Sequence, residues 1–190
     1  MEAVGRPEGD DAPGRCAYQG APGAFSHEAV IDLRPWDVPV AYDSFDAALD
    51  ALKSGEVGCA LIPVENTTIG RVEPAASLVE SAGLTVVSDA WRPIRLALMA
   101  PQGARLGDVK TAESHPAALG QCTGTLTSLG IQPVEAFDTA GAARAVAEAA
   151  DPTRAAVAPT RAAEVYELSI LRNDIQDSAD NRTRFVLLSA

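Results

Sequence analysis

The chain has 190 residues, 47% of them hydrophobic and 22% charged, with a net charge of −11. That length accommodates one large domain or two small lobes, and the acidic balance argues against nucleic acid or anionic membranes, which need basic faces. No apolar run is long enough to span a bilayer, and the scattered Cys16, Cys59 and Cys122, with only His27 and His115 as imidazoles, show no metal-ligand spacing.

The first 14 residues are rich in Pro, Gly and acid and read as a disordered leader without signal-peptide layout. Short apolar runs then alternate with helical patterns. "RCAYQ" reads as a strand and "PGAFSHEAVIDL" opens a helix. "DVPVAYD" is a strand, and "SFDAALDALKSGE" is an amphipathic helix capped by Asp43 or Ser44. "VGCALIPVEN" is a buried strand that runs into a polar loop, and "EPAASLVESAG" is a helix with Pro74 in its first turn. "LTVVSDAW" and "PIRLALMA" follow as strands with no helix between them, which marks a crossing between lobes near Trp91–Arg95.

The second half repeats the rhythm. "VKTAES" is a strand, and "HPAALGQCTGTLTSLG" is one helix opening on Pro116. "QPVEAF" is a strand, and "DTAGAARAVAEAA" is a helix capped by Asp138 or Thr139. "RAAVAP", "TRAAEVYEL" and "RFVLLSA" close the series as strand, short helix and strand. Such alternation predicts α/β layers with largely parallel sheets. The expected lobes are residues 15–92 with 169–190, and residues 93–168 between them.

Four polar loops lie between a strand and a helix start: "QGAPGAFSH", "PVENTTIGRVEP", "AESHPAALGQC" and "DTAGAA". In α/β folds ligands gather beyond the carboxyl ends of strands, where helix N-termini offer free N–H groups. Each loop alone has a plain reading as a cap or turn. "GAPGAFSHEA" is neither a dinucleotide fingerprint nor a P-loop. A second puzzle is "DNRTRFVLLSA", which holds Asn181, Thr183 and Arg184 at the mouth of an apolar strand.

Taken together, "AYQGAPGAFSHEA", "ALKSGEVGCALIPVENTTIGRV", "ESHPAALGQC" and "NRTRF" resemble the catalytic domain of the prephenate dehydratase family. The likeness runs from about Cys16 to Leu188. Ala24, Arg95 and Ala117 depart from the family pattern, and no stretch present would form the C-terminal ACT-type domain of many members. The resemblance implies a two-lobed α/β fold of the periplasmic-binding-protein type II kind, with helices flanking two sheets and an active-site cleft between the lobes. It implies a cofactor-free lyase of the cytoplasm, a homodimer or tetramer, acting on a small dicarboxylate in phenylalanine biosynthesis.

The implied reaction removes CO2 and a ring hydroxyl from prephenate together. The family's terminal threonine is Thr183, a donor to the departing oxygen. Its proton would come from water, from His115, or from Glu65 should burial raise that carboxyl. Arg184 or the helix N–H groups near Ser114 would hold the pyruvyl carboxylate. Asn66, Thr67, Ser114 and Gln121 would orient the substrate, with Phe25 and Ser26 in the glycine loop and Phe185 packed under Thr183. Three rival readings are a prephenate decarboxylase that does not aromatise, an arogenate dehydratase, and a small-anion binding module.

Overall fold

The computed structural model describes residues 14–190; the expected leader falls, but for Gly14, outside the described residues. The chain begins with β1 (Arg15–Gln19), α1 (Phe25–Leu33), β2 (Val38–Tyr42), α2 (Phe45–Lys53) and β3 (Cys59–Asn66). It continues through β4 (Gly70–Arg71), α3 (Ala75–Ser81) and β5 (Thr85–Pro93). Then come β6 (Ala97–Ala100), β7 (Thr111–Ser114), α4 (Pro116–Gly120), α5 (Thr123–Ser128) and β8 (Gln132–Glu135). It closes with α6 (Thr139–Ala149), β9 (Arg154–Ala158), α7 (Thr160–Val165), β10 (Ser169–Arg172) and β11 (Arg182–Ser189).

Two compact units result. Among the described residues, the first comprises 14–21, Phe25–Pro93 and Asp180–Ala190. Its sheet runs β2-β1-β3-β11-β5, with β4 on β3. β1 pairs in parallel with β2 and β3, while β11 lies antiparallel to both β3 and β5. The sheet is therefore mixed, because β11, from the far end of the chain, inserts antiparallel between β3 and β5. Apolar residues cover both faces. Ala60, Ile62, Val186 and Leu188 join α2 and α3 residues on one side, and Leu61, Phe185 and Leu187 join Tyr18, Ala29 and Val30 on the other. A run apolar at every position, as in "FVLL" (Phe185 to Leu188), is what a strand buried on both faces requires.

The second unit comprises Pro22–Ala24 and Ile94–Ala179. Its sheet runs β10-β6-β9-β7-β8, parallel at β9-β7-β8 and antiparallel at β10-β6-β9. Ala-rich α6 and α7 pack on it through Ala142, Ala143, Val146, Ala162 and Ala163. Pro22–Ala24 lies close to α7: a Cβ on Gly23 would come within 2.9 Å of Ala162 Cα, and its φ of +90° favours glycine.

Two expectations are corrected. Residues 169–179 belong to the second unit, because Ser169–Arg172 pairs antiparallel with β6. The single helix expected after His115 is two, since α4 ends on Gly120 and α5 restarts at Thr123. The second N-terminus is capped from outside by the Asp177 carboxylate, 2.8 Å from Gly124 N and 3.0 Å from Thr125 N.

Candidate active site

β3 and β11 meet at their polar ends. Thr183 lies directly opposite Asn66 in the ladder, and next to Thr183 the register slips, so that Arg184 faces Glu65 while Phe185 faces Pro63. Val64 is the extra residue of a β-bulge. Such a bulge reverses which side chains share a face beyond it. Val64 and Glu65 thus point the same way and line one groove with Arg184 and Val186. Asn66 turns to the α1 side, where Thr183 and Phe185 also point.

The Asn66 carboxamide is the hub of this end. Its Nδ2 donates to Asn181 Oδ1 at 2.8 Å and to Thr183 Oγ1 at 2.9 Å. Its Oδ1 accepts from Thr68 N at 2.8 Å and Ile69 N at 3.1 Å. Asn66, Asn181 and Thr183 are 8%, 5% and 7% exposed. Thr67 stitches the same corner: its backbone N donates to Arg182 O, its Oγ1 accepts from Arg182 N and donates to Asp180 O. Thr183 Oγ1 makes no other hydrogen bond among the described residues, so its proton remains available to a ligand.

Glu65 and Arg184 lie on the opposite face from Thr183. Arg184 Nε is 2.6 Å from Asp89, and Glu65 is 3.7 Å from the same guanidinium. The Asp89 carboxylate, with Glu65 behind it, holds the Arg184 guanidinium even more firmly protonated than usual. Glu65 is exposed, so the burial required of a proton source is missing, and Arg184 is committed to protein carboxylates. The guanidinium on Thr183's own face is that of Arg92, its ladder partner on β5, which pairs with Asp32 of α1. Phe185 is core, buried among Cys16, Tyr18 and Leu61.

Phe25 and Ser26 form the first turn of α1, Phe25 half-buried and Ser26 buried. In the second unit Ser114 ends β7 at 0% exposed and donates to Val157 O at 2.5 Å. Its hydroxyl proton is thus directed into the sheet. His115 caps α4: its Nδ1 accepts from Ala117 N at 3.1 Å, and its carbonyl takes the N–H groups of Ala118 and Leu119. Pro116 has no N–H, so the first turn of α4 has no donor left for a carboxylate. The His115 ring is exposed and keeps Nε2 as its outward donor. Gln121 follows α4, half-buried, and its carbonyl accepts from Asp177 N.

The structure thus brings Asn66, Thr67 and Thr183 together, places Glu65 and Arg184 in a groove on the other face of the sheet, and turns the Ser114 hydroxyl into the second sheet. Asn181, named with Thr183 in the terminal polar stretch but given no role there, joins Asn66 and Thr183 from the position just before β11.

Comparison with known proteins supplies the context. The family model described as prephenate dehydratase matches residues 16–190. The chain belongs to the prephenate dehydratase family. It is 37% identical over 182 residues to arogenate dehydratase/prephenate dehydratase 1 of Arabidopsis thaliana, covering 96% of this chain and 46% of that protein. It is 36% identical to a bifunctional N-acyl-homoserine lactone acylase/prephenate dehydratase of Komagataeibacter europaeus, covering 91% and 62%. Among solved structures it resembles the quorum-quenching acylase GqqA, at TM-score 0.86 and 36% identity, covering 92% and 63%. It also resembles the prephenate dehydratase of Arthrobacter aurescens in complex with L-Phe, at TM-score 0.80 and 26% identity, covering 92% and 60%. The chain spans about half the length of the first curated relatives it matches. No helix among the described residues is long and apolar enough to cross a membrane.

Proposed function

We propose that the chain catalyses the decarboxylating dehydration of prephenate to phenylpyruvate, water and CO2, without a cofactor. The observation that carries this reading is the hydroxyl of Thr183, buried at the end of β11, accepting the Asn66 N–H while its own proton stays free. In the reaction the bond to the ring carboxylate breaks and its electron pair enters the ring. The ring aromatises and expels the hydroxyl, which takes one proton to leave as water. Charge therefore develops on that oxygen, and a fixed donor aimed at it lowers the barrier. Accepting one hydrogen bond polarises a hydroxyl and strengthens the one it donates.

Thr183 is too weak an acid to supply the net proton at neutral pH. It acts as a donor that stabilises the leaving oxygen, and the proton comes from water or from His115. Gln121, Phe25 and Ser26 remain the proposed substrate contacts. Arogenate is the second substrate to consider, because several relatives carry the name arogenate dehydratase. The reading extends to a cytoplasmic homodimer or tetramer. Three unpaired, buried thiols support the first point and the family likeness the second; light scattering tests the assembly.

The deciding experiment follows phenylpyruvate and CO2 separately from prephenate, beside Thr183→Val. Equal yields from the parent, with a rate loss of about 10²–10³ in the variant, support the reading. CO2 without phenylpyruvate overturns the dehydration step, and turnover of arogenate alone reassigns the substrate.

A further inference from the structure

Asn66 was expected to touch the substrate, and no site role was expected for Asn181. Their hydrogen bonds argue for another arrangement. Asn66 Oδ1 faces the backbone N–H groups of Thr68 and Ile69. Those groups can only donate, so the atom facing them must be oxygen, and the orientation of the carboxamide follows. Both Nδ2 hydrogens are then committed, one to Asn181 Oδ1 and one to Thr183 Oγ1. The oxygen serves two donors and the nitrogen two acceptors, which leaves no donor for a substrate.

The consequence falls on Thr183. A hydroxyl beside an acceptor would turn its proton toward it. Asn66 shows Thr183 only a donor, so the threonine proton must point elsewhere. Branching at Cβ restricts χ1 and narrows the choice further. Asn181 contributes by taking the other Nδ2 hydrogen, which keeps the carboxamide from swinging away from Thr183.

We infer that Asn66 and Asn181 are positioning residues: a carboxamide pair that sets the direction of the Thr183 proton without touching substrate. The inference rests on the dehydratase reading of Thr183. It also explains the bulge at Val64, since unbroken alternation would put Asn66 on the other face of the sheet and Glu65 beside Thr183.

The test is Asn66→Asp, measured for kcat, KM and pH profile on the full chain. The variant has nearly the same shape and keeps an oxygen for Thr68 and Ile69. At neutral pH it offers Thr183 a carboxylate, and the threonine proton should turn inward. The expected result is a fall in kcat of about 10²-fold, comparable to that of Thr183→Val, with KM within about threefold. As pH falls and the new carboxyl protonates, it donates again, so kcat relative to the parent should recover. Asn181→Ala should lower kcat by roughly tenfold with KM preserved, a smaller effect than losing the donor itself. This second variant decides the matter should Asn66→Asp fail to fold.

A raised KM with unchanged kcat would mean that Asn66 does touch substrate and would overturn the inference. So would parental kcat in Asn66→Asp. If Thr183→Val itself keeps parental turnover, the donor reading fails instead, and the two failures are told apart.

Discussion

Ser114 and Thr183 are both buried hydroxyls, yet their protons serve opposite ends. Ser114 gives its proton to the Val157 carbonyl, inside the sheet. Thr183 only accepts, from Asn66. Ser114→Ala should therefore cost about 1–3 kcal/mol of stability, the penalty for a buried carbonyl left without its donor; urea denaturation measures it. Thr183→Ser keeps the hydroxyl but loses the β-branch that holds χ1, and should retain much more of kcat than Thr183→Val; steady-state assays of the two side by side check this. At this scale the sequence was informative about which residues cluster and uninformative about where they point. "NRTRF" marked Thr183 through family likeness. Nothing in "CALIPVENTT" signals that Val64 is an extra residue, and that one residue sends Glu65 away from Thr183 and brings Asn66 to it.

Elements were more legible than faces. The strand Arg15–Gln19 and the helix capped by Asp138 follow the expected patterns, with Asp138 Oδ1 accepting from Gly141 N. The break between α4 and α5 escaped notice because its cause is remote. α5 has no side-chain cap of its own; Asp177 supplies one from far along the chain. Its hydrogen bonds from Gly124, then Thr125, hold the Asp177 carboxyl below the usual carboxylate range. A carboxyl depressed by folding stabilises above its unfolded pKa, about 4, and that contribution is lost as pH falls through the depressed value. The gap in Tm between the parent and Asp177→Asn should therefore close as the solution is acidified below that range, as a melting series would show. All three cysteines are buried, but their thiols differ: the hydrogen bond with Cys16 pushes the Cys59 thiol down. Cys16 and Cys59 sit opposite each other on β1 and β3. The hydrogen bond to Cys59, with burial behind it, pushes the Cys16 thiol up, and burial pushes Cys122 up to about 12. At pH 8 Ellman's reagent should find at most one reactive thiol, Cys59, until denaturant is added and releases the other two, which timed absorbance readings can follow.

For the whole molecule, alternation of strands and helices predicted the α/β class and two separate bodies. It mispredicted strand direction and the second boundary for one reason. A short strand such as "SILR" carries no mark of the sheet it joins, and ladder partners are decided by tertiary packing. β11 shows what this placement costs. Phe185 is 2% exposed at the centre of the first sheet, so Phe185→Ala should remove about 3–5 kcal/mol. Trp36 and Trp91 both lie in the first unit, so their fluorescence during denaturation reads that loss directly.

The same strand has a consequence for the protein's synthesis. β3 and β5 are both made before Ile94–Ala179 of the second unit, and β11, which must lie between them, comes only after that stretch. At cellular rates of translation the interval is on the order of ten seconds. Throughout it the nascent first unit holds two strands with unpaired edges, the kind of surface that recruits other chains. Ribosome-bound chains arrested before residue 182 should be open to protease in the first unit, and only those carrying residues 182–189 clear of the exit tunnel should become resistant there.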